Sequence, residues 1–325
     1  MVKLGHRLVA FGEGMVELRR VNGAQMMQSF GGDTLNMAIY LARLAGPDLT
    51  VDFATALGDT DSFSADMIQF WENEGVYSHF LSRISGRLPG LYTITVDARS
   101  ERSFSYWRDA SAARFYFDTD ITPLAAQMDG FDVLYLSGIS LAILPPESRL
   151  KLFELMRVMR THGKIIVFDN NYRPRLWASR DVAAAVYTMA YQLADIALVT
   201  LDDEIARHDG QSEDAMLATI LSYPSPELVI KRGARPTLLR DMAGRVEEIA
   251  TLPVEQVVDT TAAGDSFAAA YLAVRMRGGA PSDAAKAGNR LAAAVIQHSG
   301  AIIPRGAMPS FISERMQSFT VNQSD

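Results

Sequence analysis

Apolar positions along this chain follow two alternating rhythms. Short, nearly unbroken apolar runs at residues 8–11, 51–56, 133–136, 165–168, 196–199 and 228–230 predict β-strands. Strands covered on both faces read this way, because neither face is left to water. Between them, at residues 35–44, 63–71, 147–159 and 182–193, apolar side chains recur every three or four positions, the spacing of a helix with one buried stripe. Strand followed by helix, repeated, predicts a doubly wound α/β fold on a mainly parallel sheet.

One region departs from that rhythm. Residues 91–97 and 102–108 alternate with period two around the polar Ala98-Arg99-Ser100-Glu101, which predicts an antiparallel hairpin with one covered face. Phe104, Tyr106 and Arg108 share one face of the second strand, and Ser103, Ser105 and Trp107 the other. A hairpin set into an α/β protein serves as a lid, a subunit contact, or both. After about residue 310 the chain is polar and is expected to fray.

Composition narrows the class. The 325 residues are 48% hydrophobic and 21% charged, which excludes a disordered or low-complexity chain. The longest apolar run, residues 267–274, is too short to span a membrane, and residues 1–15 lack a basic-then-apolar leader, so a cytoplasmic location is expected. With no cysteine there is no disulfide, thiolate zinc site or cysteine nucleophile. The 31 basic and 38 acidic residues give a net charge of −7 with no basic tract, so neither nucleic acid nor membrane is an expected partner.

Several familiar sites are missing. No Gly-x-x-x-x-Gly-Lys-Ser/Thr occurs, and Gly12-Glu13-Gly14 begins a dinucleotide fingerprint whose third glycine is replaced by Glu17. The histidines His6, His79, His162, His208 and His298 show no metal-ligand spacing, and no protein metal site is expected.

Two segments remain that can carry chemistry. Gly31-Gly32-Asp33-Thr34-Leu35-Asn36 leads into a helix, so its backbone can approach a ligand closely while Asp33 and Asn36 reach hydroxyl groups. An ordinary turn and helix cap reads equally well there. Asp259-Thr260-Thr261-Ala262-Ala263-Gly264-Asp265-Ser266 places small residues at the start of the helix at 267–276, where free N–H groups and the helix dipole favour an anion. A carboxylate beside an anion is awkward unless it handles a proton, so Asp265 reads as a general base; capping of the helix by Asp265 is the other reading.

Together the two segments resemble the signatures of the ribokinase-like, or PfkB-type, carbohydrate kinases, Gly-Gly-x-x-x-Asn and Asp-Thr-x-Gly-Ala-Gly-Asp. The similarity runs over roughly residues 5 to 310. Within that family Arg87-Leu-Pro-Gly-Leu-Tyr92, Leu136-Ser-Gly-Ile-Ser-Leu-Ala-Ile-Leu144, Asp169-Asn-Asn-Tyr-Arg-Pro-Arg-Leu-Trp177, Leu201-Asp-Asp-Glu204 and Gly300-Ala-Ile-Ile-Pro-Arg305 are similar to the branch acting on 2-keto-3-deoxygluconate.

The resemblance implies one kinase domain over residues 1–310, a β lid from about 14–30 and 88–109, and a polar tail at 311–325. It implies that Asp265 activates the sugar hydroxyl while Ala262, Ala263 and Gly264 form the anion hole. Ala262 stands where the family has glycine, so the turn must use backbone angles open to alanine. Gly32, Asp33, Asn36, Tyr92, Tyr106, Arg108 and Arg173 are implied for the substrate. Asn171, Arg173, Lys231, Gly233, Ala262, Gly264 and Asn289 are implied for ATP, although Pro236 replaces a glycine often found after the Lys-x-Gly segment. Mg²⁺ is expected mainly on phosphates and water, and a monovalent cation near Asp259 and Thr261.

Substrate chemistry separates the branches. A sugar acid needs an arginine whose planar fork matches a carboxylate, and the resemblance assigns this to Arg108, with phosphorylation at C6. Both Arg108 and Arg173 also read as surface ion-pair partners. The alternatives are a fructokinase or other sugar kinase of the same fold, a nucleoside kinase, and a non-catalytic sugar-sensing relative. An exposed edge strand in the lid points to a homodimer or higher homo-oligomer.

Overall fold

The computed structural model describes residues 4–96 and 102–309. Among them the chain forms β1 (Arg7–Phe11), β2 (Met15–Asn22), β3 (Gln25–Gly31), β4 (Thr50–Leu57), β5 (Leu81–Arg83), β6 (Gly90–Val96), β7 (Arg102–Trp107), β8 (Val133–Ser137), β9 (Ile165–Asp169), β10 (Ile196–Thr200), β11 (Glu227–Arg232), β12 (Arg235–Arg240) and β13 (Val246–Ile249). Nine strands make one sheet in the order β13-β12-β11-β10-β9-β8-β1-β4-β5. Every pairing from β11 across to β5 is parallel; only β12 and β13 run antiparallel.

Side chains alternate across this sheet, and each side has its own core. Leu8, Ala10, Val133, Tyr135 and Leu198 enter one core, beneath the helices Asp33–Ala45, Ser62–Asn73, Ala263–Met276 and Pro281–Val295. Val9, Phe11, Leu134, Leu136 and Val199 enter the other, beneath Pro146–Thr161 and Arg180–Leu193. Burial on both faces is why the strand runs are apolar throughout. Each of the six expected strands and four expected helices lies within an observed one. Among the described residues no helix is long and apolar enough to cross a membrane.

A second, four-stranded sheet has the order β3-β2-β6-β7. The expected hairpin is its β6–β7 pair, antiparallel with Tyr92 opposite Tyr106. Its connecting residues, Ala98 to Glu101, and the tail at 311–325 lie outside the described residues. The apolar pattern did not separate β2 from β3, nor find β5, β12 and β13. The Arg- and Gln-rich β2 and β3 have one largely exposed end, so their alternation is diluted.

Candidate active site

The sheet reverses its winding between β1 and β8, and the crevice at the carboxyl ends of such strands is where α/β folds bind ligands. Here β9 ends at Asp169, with Asn171 and Arg173 just beyond, Asp203 follows β10, and Lys231 lies near the end of β11. The two helix starts read from the sequence meet over this crevice. Asn36 Nδ2 donates to Asp265 Oδ2 at 2.9 Å, joining residues 229 positions apart.

At the first helix start, Gly32 has φ 146°, and a Cβ on it would stand 2.2 Å from the Glu13 carbonyl oxygen. Only glycine fits such a position. Asp33, one residue on, accepts from Asn171 Nδ2 at 2.6 Å. Asn171 itself is in the left-handed half of the map, φ 22°. Asn36 Oδ1 is buried without a hydrogen-bond partner among the described residues.

At the second start, Ala262 takes φ 59° and ψ 15°, the small left-handed region that remains open to alanine at a cost of about 1 kcal/mol. Ala263 N–H donates to Thr260 O at 3.2 Å and Ser266 N–H to Ala262 O at 2.9 Å, closing the turn. The N–H groups of Gly264 and Asp265 reach no acceptor among the described residues, as the opening turn of a helix leaves them. A cation joins them. Lys231 Nζ lies 3.3 Å from where a Cβ on Gly264 would sit, steadied by Asp169 Oδ2 at 2.8 Å.

Asp265 therefore faces donors on one side and acids on the other. Burial, then the charges of Asp33 and Asp169, push its pKa up to about 8, against the opposing pull of the Asn36 hydrogen bond and Lys231. A carboxyl with a pKa near neutrality can take a proton and release it again.

The small sheet supplies aromatic and charged groups. The Tyr92 and Tyr106 rings lie 5.8 Å apart, and the Arg108 guanidinium sits 5.9 Å from the Tyr106 ring centre. Tyr92 donates to Glu17, which also accepts from Ser29 Oγ at 2.9 Å. Burial, reinforced by the Glu17 charge, raises the Tyr92 pKa far above the usual phenol range, so it stays a donor. Arg108 is buried in an ion pair with Glu13. In the sequence both glutamates appear only within the incomplete dinucleotide fingerprint, not as site residues. Their signal was an acidic residue inside the otherwise apolar 8–18 segment, where burial needs a partner.

The remaining expected residues are more dispersed. Arg173 Nη1 donates to Tyr172 O at 2.7 Å and pairs with Asp203 at 3.3 Å, with half its side chain exposed. Gly233, φ 63°, turns the exposed link between β11 and β12. Asn289 is buried: Thr237 Oγ1 donates to its Oδ1 at 2.8 Å, and its Nδ2 donates to Ala250 O at 3.1 Å, so its amide fastens the helix Pro281–Val295 to the β12–β13 edge. Asp259 accepts from Thr261 N–H at 3.0 Å and Gly300 N–H at 2.7 Å. Among the described residues no three acidic or histidine side chains cluster as a metal site.

Known proteins resemble this chain in sequence and in fold. The model of the pfkB family carbohydrate kinases matches residues 5–307. The 2-dehydro-3-deoxygluconokinase of Escherichia coli strain K12 is 47% identical over 311 residues, 94% of this chain and all of that protein. A fructokinase of Vibrio alginolyticus is 28% identical over 266 residues, 82% of this chain and 83% of its own length. The crystal structure of a fructokinase with bound ATP from Xylella fastidiosa has a TM-score of 0.79 at 23% identity, covering all of both chains, a likeness of fold. With both signatures converging on one crevice and the family match spanning nearly the whole length, the chain belongs to the pfkB family of carbohydrate kinases.

Proposed function

We propose that the protein transfers the γ-phosphoryl group of ATP to the C6 hydroxyl of 2-keto-3-deoxygluconate, also called 2-dehydro-3-deoxygluconate. The products are 2-keto-3-deoxy-6-phosphogluconate and ADP. The observation that carries the reading is the buried Asp265 carboxyl, its pKa raised by burial and by Asp33, set beside Lys231 and two N–H groups that reach no acceptor among the described residues. As the C6 oxygen bonds to the γ-phosphorus, Asp265 takes its proton, and the bond to the bridging oxygen breaks with its electrons leaving on ADP. The N–H groups of Gly264 and Asp265 and the Lys231 ammonium stabilise charge on the transferring group, as phosphoryl transfer demands.

Gly32, Asp33 and Asn36 hold the sugar hydroxyls in this reading, with the orphan Asn36 Oδ1 ready to accept one. Tyr92, Tyr106 and Arg108 cover the sugar from the small sheet, which acts as the lid of a single kinase domain, residues 1–310. Closing it excludes water and limits ATP hydrolysis. Asn171 and Arg173 stand where the sugar and phosphate ends meet. Gly233 and Asn289 shape the nucleotide side, Asn289 by bracing its edge. The 47% identity to the E. coli sugar-acid kinase, against 28% to the fructokinase, supports the keto acid over a neutral hexose.

The donor set fits a nucleotide triphosphate: a turn of free N–H groups and a lysine match phosphate oxygens. Mg²⁺, held on those oxygens and water, would add charge neutralisation. Asp259 and Thr261 line a cavity of about 120 Å³ with Glu17, Arg19, Ser299 and Gly300; a monovalent cation would sit at its Asp259 end, away from the Arg19 guanidinium. The outer strands of the small sheet and its exposed Trp107 support a homodimer joined there. A coupled assay over a panel of sugar acids and neutral sugars tests the reading. Turnover of the keto acid at least tenfold above fructose, by kcat/KM, is expected; preference for fructose would overturn it.

A further inference from the structure

Beyond the groups that touch ATP and the reacting hydroxyl, one buried pair stands at the root of the small sheet. Glu13 lies two residues before β2, Gly90 opens β6, and Arg108 follows β7. Met15 pairs with Gly90 and Leu91 with Trp107, so the three passages between the main body and the small sheet run side by side. Glu13 links them. Its carboxylate binds the Arg108 guanidinium through Nη2, 95 residues away, and its Oε1 lies 2.4 Å from where a Cβ on Gly90 would sit. Its carbonyl oxygen bears on Gly32 at the sugar-side helix start.

This pair is buried yet incompletely satisfied. Glu13 is 2% exposed and Arg108 9%. Glu13 Oε1, Arg108 Nε and the neighbouring Ser111 Oγ have no hydrogen-bond partner among the described residues. Buried polar atoms without partners are rare, and a cluster of them asks for an explanation such as a missing ligand. A guanidinium carries five N–H donors, and one carboxylate oxygen leaves most of its edge unused. An arginine alone at this point would be a buried uncompensated charge, mobile over several rotamers.

We propose that Glu13 is a specificity-determining residue that positions Arg108. Its buried carboxylate fixes the guanidinium in one place and orientation, leaving an N–H edge for the carboxylate of the sugar acid. This rests on the reading of Arg108 as the substrate's partner. Glu13 touches no reacting atom and acts through Arg108. The pair also makes recognition local to the anionic end of the sugar, so the neutral hydroxyl contacts and the phosphoryl site do not depend on it.

Steady-state kinetics of Glu13→Gln, Glu13→Asp, Arg108→Ala and the double variant Glu13→Gln/Arg108→Ala test this, with the keto acid, fructose and ATP varied in turn. Glu13→Asp keeps the charge but withdraws it by one methylene, so it serves if Glu13→Gln does not fold. Both Glu13 variants are expected to raise KM for the keto acid about tenfold, with kcat and KM for ATP within about twofold. The double variant should be no worse than Arg108→Ala alone. If Arg108→Ala raises that KM while every folded Glu13 variant matches wild type, the proposal for Glu13 is wrong and the Arg108 reading stands. Equal losses on fructose, or additive losses in the double variant, would reduce Glu13 to a packing role. If Arg108→Ala leaves KM for the keto acid unchanged, the Arg108 reading itself fails, and Glu13 with it.

Discussion

Asn36 and Asp265 belong to two helices whose first turns face each other, and the 2.9 Å bond from Asn36 Nδ2 to Asp265 Oδ2 is the point of contact. The amide favours the ionised carboxylate, offsetting part of what burial and Asp33 impose. Removing the donor in Asn36→Ala therefore pushes the Asp265 pKa higher still. At pH 7 kcat is expected to fall about tenfold or more, with the alkaline shift visible in the pH–rate profile. An unmoved profile would mean the bond only braces the helices.

If Asp265 is the base, the same carboxyl sets the direction of the wild-type pH response. A base whose pKa is about 8 is mostly protonated at pH 6, so kcat/KM should climb with pH and level off above about 8. Assays from pH 5.5 to 9.5 read this limb directly. A flat profile below pH 7 would place the base elsewhere.

Asp265→Asn separates chemistry from binding and stability. Turnover is expected to drop about 10²–10⁴-fold while ATP still binds, as calorimetry would show. Because the folded state raises this carboxyl from its ordinary 3.8 to about 8, the folded protein holds the extra proton, and stability falls as pH rises across that interval. Asparagine removes the penalty. The variant should melt a few degrees (roughly 2–8 °C) higher at pH 8 and no higher at pH 4.

In the proposed reading Lys231 acts on the phosphoryl side. Lys231→Met should lower kcat about 10²-fold and leave KM for the sugar within about threefold. Since the change also strands Asp169, Lys231→Met/Asp169→Asn is the companion that keeps the pair neutral. Recovery of turnover in the double variant would show that the charge balance, not the ammonium, matters.

Ala262 tests the backbone of the anion turn. Ala262→Gly adopts the left-handed angles without strain and should keep turnover within about twofold. Ala262→Val, branched at Cβ, cannot do so cheaply, and its kcat should fall about tenfold or more.

The parallel sheet was legible because strands such as Val133–Ser137 are buried on both faces, which leaves an unbroken apolar run. The outer strands were not, since Arg235–Arg240 (Arg-Pro-Thr-Leu-Leu-Arg) and Val246–Ile249 (Val-Glu-Glu-Ile) are short and show neither an unbroken apolar run nor a period-two alternation. Both helix starts were visible as small residues beside a lone acid. Asp169 is legible only as part of a matching segment, Glu13 only as the middle of Gly12-Glu13-Gly14, and Glu17 only as the departure from that nucleotide motif. Their partners, Lys231, Arg108 and Tyr92, lie 62 to 95 residues away, and no local pattern records such pairings.

The anion turn is not held by its own residues alone. Asp259 takes the N–H of Gly300, and the N–H groups of Val258 and Asp259 both reach Ile296 O, at 2.8 and 3.1 Å. Tyr40, on the sugar-side helix, donates to Ala301 O at 2.7 Å and accepts from Ile303 N–H at 3.0 Å. The stretch from 296 to 303 is thus a strap between the anion turn and the middle of the helix Asp33–Ala45, though it contains neither signature. A shortened chain ending before it would keep every signature residue and still lack the scaffold that shapes the turn.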